Sequence, residues 1–209
     1  MYKRIKQFIY RRLIPFIKFY KYLTWLVYLN NHKEINLVVG AGGTKFKDWF
    51  STDISTLDLT KESDFRKYFK KKKISKVLAE HVLEHLGQED LDKILVNFFK
   101  YSEESVNIRI AVPDGFHPDI KYIESVKPDG TGAGAKDHKN LFTYKSLGAL
   151  FGRYGFKTNP IEYWDENKNF HSIYSNDNNG FIGRSLLNDD RNKNGNPNYT
   201  SLIIDFTKE

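Results

Sequence analysis

The sequence predicts an α/β fold: a mostly parallel sheet with helices on both faces. Three observations lead there. Short apolar runs that read as strands alternate with segments of helical periodicity, the pattern of crossover units. The chain has 209 residues, enough for one sizeable core and cramped for two. Hydrophobic residues make up 40% and aromatic residues 15%, so that core can be filled.

Residues 1–33 read as a basic, amphipathic helical arm. They carry eight basic side chains (Lys3, Arg4, Lys6, Arg11, Arg12, Lys18, Lys21, Lys33) and no acid. The rest of the chain holds 25 basic and 26 acidic side chains, so the net charge of +7 belongs to the arm and the body is near neutral. Ile5, Phe8, Ile9, Leu13, Phe16, Ile17, Tyr20 and Leu23 recur at helical spacing, and Pro15 is expected to kink or split the helix. The longest uncharged run, Tyr22 to His32, has 11 residues, whereas a membrane-spanning helix needs about 20. Nothing resembles a signal-peptide core with its cleavage site. The apolar stripe has two destinations, the domain's own core or an anionic membrane surface.

Residues 34–209 read as the folded domain. Ile35–Val39 is a buried strand entering Gly40-Ala41-Gly42-Gly43, and Trp49–Asp53 is a second strand. Ser63 is expected to cap a short helix that turns Phe65, Tyr68 and Phe69 inward. Lys70–Lys73 reads as a solvated turn, and Lys76–Glu80 as a third strand. Leu91, Ile94, Leu95 and Phe98 form one helix face. Asn107–Val112 is a strand ending at the turn Pro113-Asp114-Gly115. Pro118 is expected to open a helix. Thr143 is expected to cap another through Leu147, Leu150 and Phe151, stopped by Gly155. Ile161–Trp164 and Ser201–Phe206 are the last strands, the final one open to an antiparallel placement. Between them, 165–198 is a loop-rich insertion with ten asparagines.

Ligands of open α/β sheets bind beyond the carboxyl ends of strands. Four such ends carry glycine or polar residues: Gly40–Gly43, Asp53, Glu80-His81 and Asp114. Glycines let backbone approach a ligand closely, and an acid after the next strand can accept from a ribose diol. Together they describe an adenosine-type site. The dinucleotide fingerprint is not met: its third glycine would fall at Lys45, and its acid about 20 residues further on, whereas Asp53 follows Gly42 by 11. A nucleic-acid enzyme would spread positive charge over its catalytic face, which the neutral body does not do. The absence of cysteine excludes a thiolate zinc site and a cysteine nucleophile, and fits a reducing, cytoplasmic compartment.

Leu37-Val38-Val39-Gly40-Ala41-Gly42, Trp49, Asp53 and Ala79-Glu80-His81-Val82-Leu83-Glu84-His85-Leu86 resemble the class I S-adenosylmethionine (SAM)-dependent methyltransferases. The likeness is to a small bacterial group of predicted methyltransferases linked to surface polysaccharide genes. It continues through Val112–Gly115, His138–Tyr144, Gly155-Phe156 and Thr200–Ile204. It implies the Rossmann-like methyltransferase fold. By position, Gly40, Ala41 and Gly42 would form the SAM loop, Asp53 would bind the ribose, and Asp58 and Leu59 would lie near adenine. Glu80 would also contact SAM; Glu80 and His81 would line the methyl-transfer site and, with Asp114, supply its chemistry. Val38 departs from the acid found there in many relatives. The first strand-to-strand connection is also too short for a full crossover helix, so that helix must be truncated or absent.

His81 is the expected general base for a hydroxyl acceptor. Glu84 could orient a histidine, or bind metal in relatives that use one. No residue set has convincing metal spacing, and no metal is expected. His85 reads as packing or capping, and His117 and His138 lie in loops that could cover the pocket, with a structural role the first reading of each. The aromatics of 163–199 (Tyr163, Trp164, Phe170, Tyr174, Phe181, Tyr199) suit a saccharide-binding cover; a surface excursion from AT-biased codons accounts for them equally. The expected function is methylation of a small molecule or glycoconjugate, a sugar hydroxyl first, with peripheral membrane contact through residues 1–30. The alternative is a non-catalytic SAM- or lipid-headgroup-binding accessory protein at the membrane surface.

Overall fold

The computed structural model describes residues 2–69 and 71–208; in the first helix, side chains are described at Leu13, Phe16 and from Phe19 onward. In chain order the elements are α1 (Tyr2–Asn31), β1 (Asn36–Val39), β2 (Phe50–Ser51), α2 (Glu62–Tyr68), β3 (Ile74–Glu80), α3 (Gln88–Tyr101), β4 (Ser102–Pro113), α4 (Ile120–Val126), α5 (Tyr144–Gly152), β5 (Phe156–Trp164), β6 (Phe170–Ser172) and β7 (Ser201–Lys208). Single 3-10 turns occur at Leu83–His85, Ala135–Asp137 and Asp190–Asn192.

One seven-stranded sheet runs in the order β2-β1-β3-β4-β7-β5-β6. β2, β1, β3 and β4 are mutually parallel. β7 inserts antiparallel between β4 and β5, and β6 pairs antiparallel on β5. This is a Rossmann-like sheet, and residues 40–49 join β1 to β2 through turns with no helix, as the short connection required. The chain leaves β1 toward β2, then returns to the other side of β1 as β3. That reversal is a topological switch point, and it opens a crevice at the carboxyl ends of β1 and β3.

Alternation along the strands splits the core in two. Leu37, Val39, Val77, Ala79, Ile108, Ile110, Leu202, Ile204 and Phe206 face a large cluster. There they meet Trp25 of α1, Phe65 of α2, Leu91, Ile94, Leu95 and Phe98 of α3, and Leu147, Leu150 and Phe151 of α5. Phe151 stacks on Phe206 at 3.7 Å between ring centroids. Val38, Leu78, Ala111, Ile161 and Ile203 face the opposite side, where Tyr174 and Ile182 of the 165–198 insertion cover them. Among the described residues, no helix contributes to that second cluster.

Several local expectations shift. β2 is only two residues long. Ser63 lies inside α2, whose N-cap is Lys61 with no side-chain bond. α4 starts after Asp119, whose carboxylate accepts from the Lys121 amide; an aspartate reaches those orphan donors and Pro118 cannot. Thr143 does cap α5, in a capping box with Ser146. β5 begins at Phe156 and runs through Pro160, which sits at a register shift against β7, where a missing amide is tolerated.

α1 is continuous through position 15, so the helix is not split there. Its last turns belong to the core: Trp25 stacks on Phe50 at 4.1 Å, and the Tyr28 hydroxyl donates to the Asn36 carbonyl. Of the apolar stripe, Leu13, Phe16, Tyr20 and Leu23 are exposed, Phe16 by 72%. Lys72 is not merely solvated. Its Nζ donates to the carbonyls of Leu29 and His32, capping the negative end of α1. Lys70 lies outside the described residues.

Candidate active site

Two adjoining cavities occupy the crevice that the topology creates. The first, about 350 Å³, is lined by Val38, Val39, Gly40, Ala41, Thr44, Phe46, Leu78, Glu80, His81, Gly183 and Arg184. The second, about 160 Å³ and mostly apolar, is lined by Gly40, Asp53, Ile54, Leu57, Asp58, Leu59, Thr60, Val82, Leu86 and Ile94. Gly40 is common to both. Larger clefts lie beside α5 and within the insertion, but neither includes the carboxyl end of a parallel strand.

Gly40 has φ +60°, and a Cβ there would stand 2.5 Å from Val82 Cγ2. Only glycine lets the β1 end turn this tightly over Val82. The loop then closes on β2, with the Ala41 amide donating to the Thr52 carbonyl at 2.9 Å.

Asp53 lies at the second cavity, but its carboxylate is engaged. Oδ1 accepts from the Ser55 amide and hydroxyl at 2.8 and 2.6 Å, and Oδ2 from Lys21 Nζ at 3.0 Å. Burial pushes its pKa upward, but the Ser55 and Lys21 bonds outweigh that and hold it at about 2. The partner lysine comes from α1, a link that composition alone did not reveal. Asp58 accepts from Thr60 and pairs with Lys61 at 2.8 Å. Leu59 lines the same cavity.

Glu80 reaches across the first cavity. Its carboxylate accepts from the amides of Gly183 at 3.2 Å and Arg184 at 2.8 Å, pinning the insertion over the β3 end. His81 follows with φ +54°, a conformation costly for a side chain of this size. Its Nε2 lies 3.0 Å from Ser201 Oγ and its Nδ1 3.0 Å from Glu84 Oε1. The Glu84 contact is close but off the axis of a hydrogen bond, and both Glu84 oxygens count as unpartnered. The order Glu84–His81–Ser201 has the form of a nucleophile triad. Ser201 is only 1% exposed, however, so no external substrate can reach its hydroxyl. Its effect is to orient the imidazole. The sequence marked Ser201 only as a strand start.

No protein-family model and no curated protein matches the chain. Among solved structures, it is similar to a SAM-dependent methyltransferase from Archaeoglobus fulgidus, at 16% identity and a TM-score of 0.45, with all of both chains covered. It is also similar to LepI in complex with SAM, at 9% identity and a TM-score of 0.40. That match covers 86% of this chain and only 38% of LepI. These likenesses are remote.

The structure therefore gathers Gly40, Ala41, Asp53, Asp58, Leu59, Glu80 and His81 around the two cavities. Gly42 belongs to the same loop, with φ +56°, but lines neither. Asp114 is a correction. It is fully buried, accepts from the Phe116 and Trp164 amides at 2.8 Å each, and lines neither cavity. Burial pushes its pKa up to about 6 against those bonds. Its work is to tie the β4 end to β5. His117 is also structural: it is buried, stacked on Tyr122, and its Nδ1 accepts from the Asp119 amide. Two of the six aromatics of the expected cover are turned inward as well. Trp164 and Tyr174 are buried, and Arg191 lies over the Tyr199 ring. Phe181 is exposed and tilted against Phe46 of the first cavity, but does not line the cavity itself.

Proposed function

We propose that the chain is a SAM-dependent methyltransferase. The observation that carries this reading is the pair of cavities at the switch point of β1 and β3, joined at Gly40. The smaller, apolar cavity beside Asp53 and Asp58 suits an adenosine. The larger one beside Ala41 and Glu80 suits the methionine portion and an acceptor. The Gly40 contact with Val82, which any Cβ would block, is the local sign that backbone rather than side chain must form the floor.

When bound, SAM would supply an electrophilic methyl group; the chain's own residues align, exclude water and handle the proton. Alignment alone can contribute several kcal/mol. Glu84 beside Nδ1 favours the tautomer with the lone pair on Nε2, now directed at Ser201. His81 lines the first cavity, so an imidazole turned from Ser201 toward that cavity would take the proton of a hydroxyl acceptor. The favoured acceptor is a small-molecule or saccharide hydroxyl, because the cavity is small and rimmed by polar and aromatic groups.

The reading is tested by calorimetry with S-adenosylhomocysteine. The expected result is 1:1 binding, weakened by about 1.5–3 kcal/mol in Asp53→Ala, the range for hydrogen bonds to a charged group. Absence of binding at millimolar ligand would overturn it. His81→Ala is expected to keep the affinity and lower turnover at least ~100-fold; loss of binding instead would move His81 to the cofactor.

The exposed part of α1 is proposed to lie on an anionic membrane surface, supported by the basic composition of 1–33 and by exposed Leu13, Phe16, Phe19 and Tyr20. No helix among the described residues is long and apolar enough to cross a membrane. Because Trp25, Tyr28 and Leu29 are buried, deletion of 1–30 would open the core. Deletion of 1–18 tests the surface alone: it is expected to abolish co-sedimentation with anionic vesicles, and undiminished sedimentation would refute the contact.

A further inference from the structure

We infer that Glu84, His85 and His138 form a binding site for a divalent first-row transition ion, of the Zn²⁺ or Mn²⁺ class. One ligand atom from each residue lies within 4.8 Å of the others. Bonds of about 2.0–2.2 Å require those atoms to close in by roughly 1 Å, within reach of small side-chain rotations. The sequence offered Glu84 alone as a metal ligand, because His138 is remote from Glu84 and His85 along the chain.

Glu84 supplies the strongest sign of a missing partner. Its side chain is 0% exposed and both carboxylate oxygens lack a hydrogen bond among the described residues. A buried carboxylate without a partner costs several kcal/mol. The poorly aligned imidazole of His81 does not remove that cost; a cation would.

His138 is prepared as a ligand. Its Nδ1 lies 2.6 Å from the Val126 carbonyl, which can only accept, so Nδ1 carries the hydrogen and Nε2 the free lone pair. A histidine that binds metal through one nitrogen usually donates through the other in this way. The segment is also held in place. The amides of Lys139 and Asn140 donate to the Glu84 carbonyl at 2.7 and 3.1 Å, and Asn140 Nδ2 donates to the Leu86 carbonyl at 2.7 Å. The His85 and His138 rings meet edge to face at 4.7 Å.

Two imidazoles and a carboxylate favour zinc, manganese, iron or cobalt over magnesium and calcium. Three protein ligands leave a coordination position open, and both histidines are only half-buried. The ion could therefore polarise an oxygen of a small ligand. Glu84 would then serve the ion and His81 together. The site stands on its own geometry and does not depend on methyl transfer.

The test is titration of chelator-treated full-length protein with Zn²⁺ by calorimetry and with Co²⁺ by visible absorption. Wild type is expected to bind one ion. His85→Ala and His138→Ala are each expected to weaken binding at least ~10-fold, the lower bound for losing even an orienting partner of a metal ligand, and to abolish the cobalt bands. His171→Ala, on the exposed insertion, is expected to leave both unchanged. Both decisive positions are half-buried, so thermal melts can show that the variants fold; Glu84→Gln serves as a third only if its melt matches wild type. Failure of wild type to bind stoichiometrically, or equal binding by both histidine variants, overturns the site.

Discussion

The two faces of the sheet are covered by different chemistry. On the helix-covered face, α1, α2, α3 and α5 bury aromatic and aliphatic side chains against alternating strand residues. On the other, a long insertion without α-helix is bolted down by polar groups that strands project outward. Arg109, 1% exposed in the middle of β4, forms a fork with Asp205 at 2.8 Å and also grips Asp177 and the Gly180 carbonyl. Glu162 accepts from the Leu186 amide and Ser172 hydroxyl at 2.9 Å each. Glu80 takes the amides of Gly183 and Arg184. A helix satisfies its own backbone and needs only apolar contact to dock. A loop cannot, so its covering face must supply acceptors and charges. The lesson is that a buried charge in a strand can be a fastener for irregular chain rather than a reactive group.

The contrast can be broken most forcefully at Arg109. Arg109→Met leaves Asp205 and Asp177 facing each other without their cation, and is expected to cost about 3–5 kcal/mol in urea unfolding. Adding Asp205→Asn should recover part of that; a single-variant loss below about 1 kcal/mol would show that the fork is dispensable. Next is pH. Burial pushes the Glu162 carboxyl up to about 7, against the Leu186 and Ser172 bonds. Its folded pKa exceeds its unfolded value, so its stabilising contribution is full below about 4.5 and is lost as pH rises through about 7. Glu162→Gln is expected to flatten the decline between pH 5 and pH 8 by on the order of 3 kcal/mol. Asp114, shifted the same way, leaves a residual slope of the same sign.

A smaller effect is expected at Glu80. Glu80→Ala should cost ~1.5–3 kcal/mol and speed amide exchange at Gly183 and Arg184, while exchange in α3 stays slow. Uniform change across the molecule would contradict a local fastener. Smallest is the helix face. Thr143→Ala removes the α5 cap and should cost ~1 kcal/mol, equally at pH 5 and pH 8, because no titrating group takes part. A pH-dependent loss there would erase the distinction between the faces.

The helix face was legible in the sequence because it obeys a period: Leu91, Ile94, Leu95 and Phe98 all arrive where spacing put them. The crevice was legible through its strand ends, since Gly40, Glu80 and His81 sit directly after apolar runs. The insertion was not. Its asparagines bond one another and nearby backbone, as Asn188 does to Asn176 and to the Ile182 carbonyl, and Asn192 to the carbonyls of Ser185 and Tyr199. Composition suggested a ligand surface where the loop was satisfying itself. One signal was available: Arg109 and Asp205 are opposite charges in the middle of two apolar strands, a pairing that makes sense only if the strands are neighbours. The Lys21–Asp53 contact and the meeting of His138 with Glu84 gave no such local clue, because each joins distant segments through side chains alone.

The position of β7 has a consequence for how the molecule is made. Residues 201–208 leave the ribosome after every other strand of this sheet, yet they lie between β4 and β5. Until they arrive, β4 and β5 each present an unpaired edge, and Arg109 waits for Asp205. Two open edges at once invite pairing with other chains. A premature stop near position 200 would thus remove β7 and divide the sheet in two. Frameshifts at that point of the reading frame should yield insoluble protein rather than a slightly weakened one.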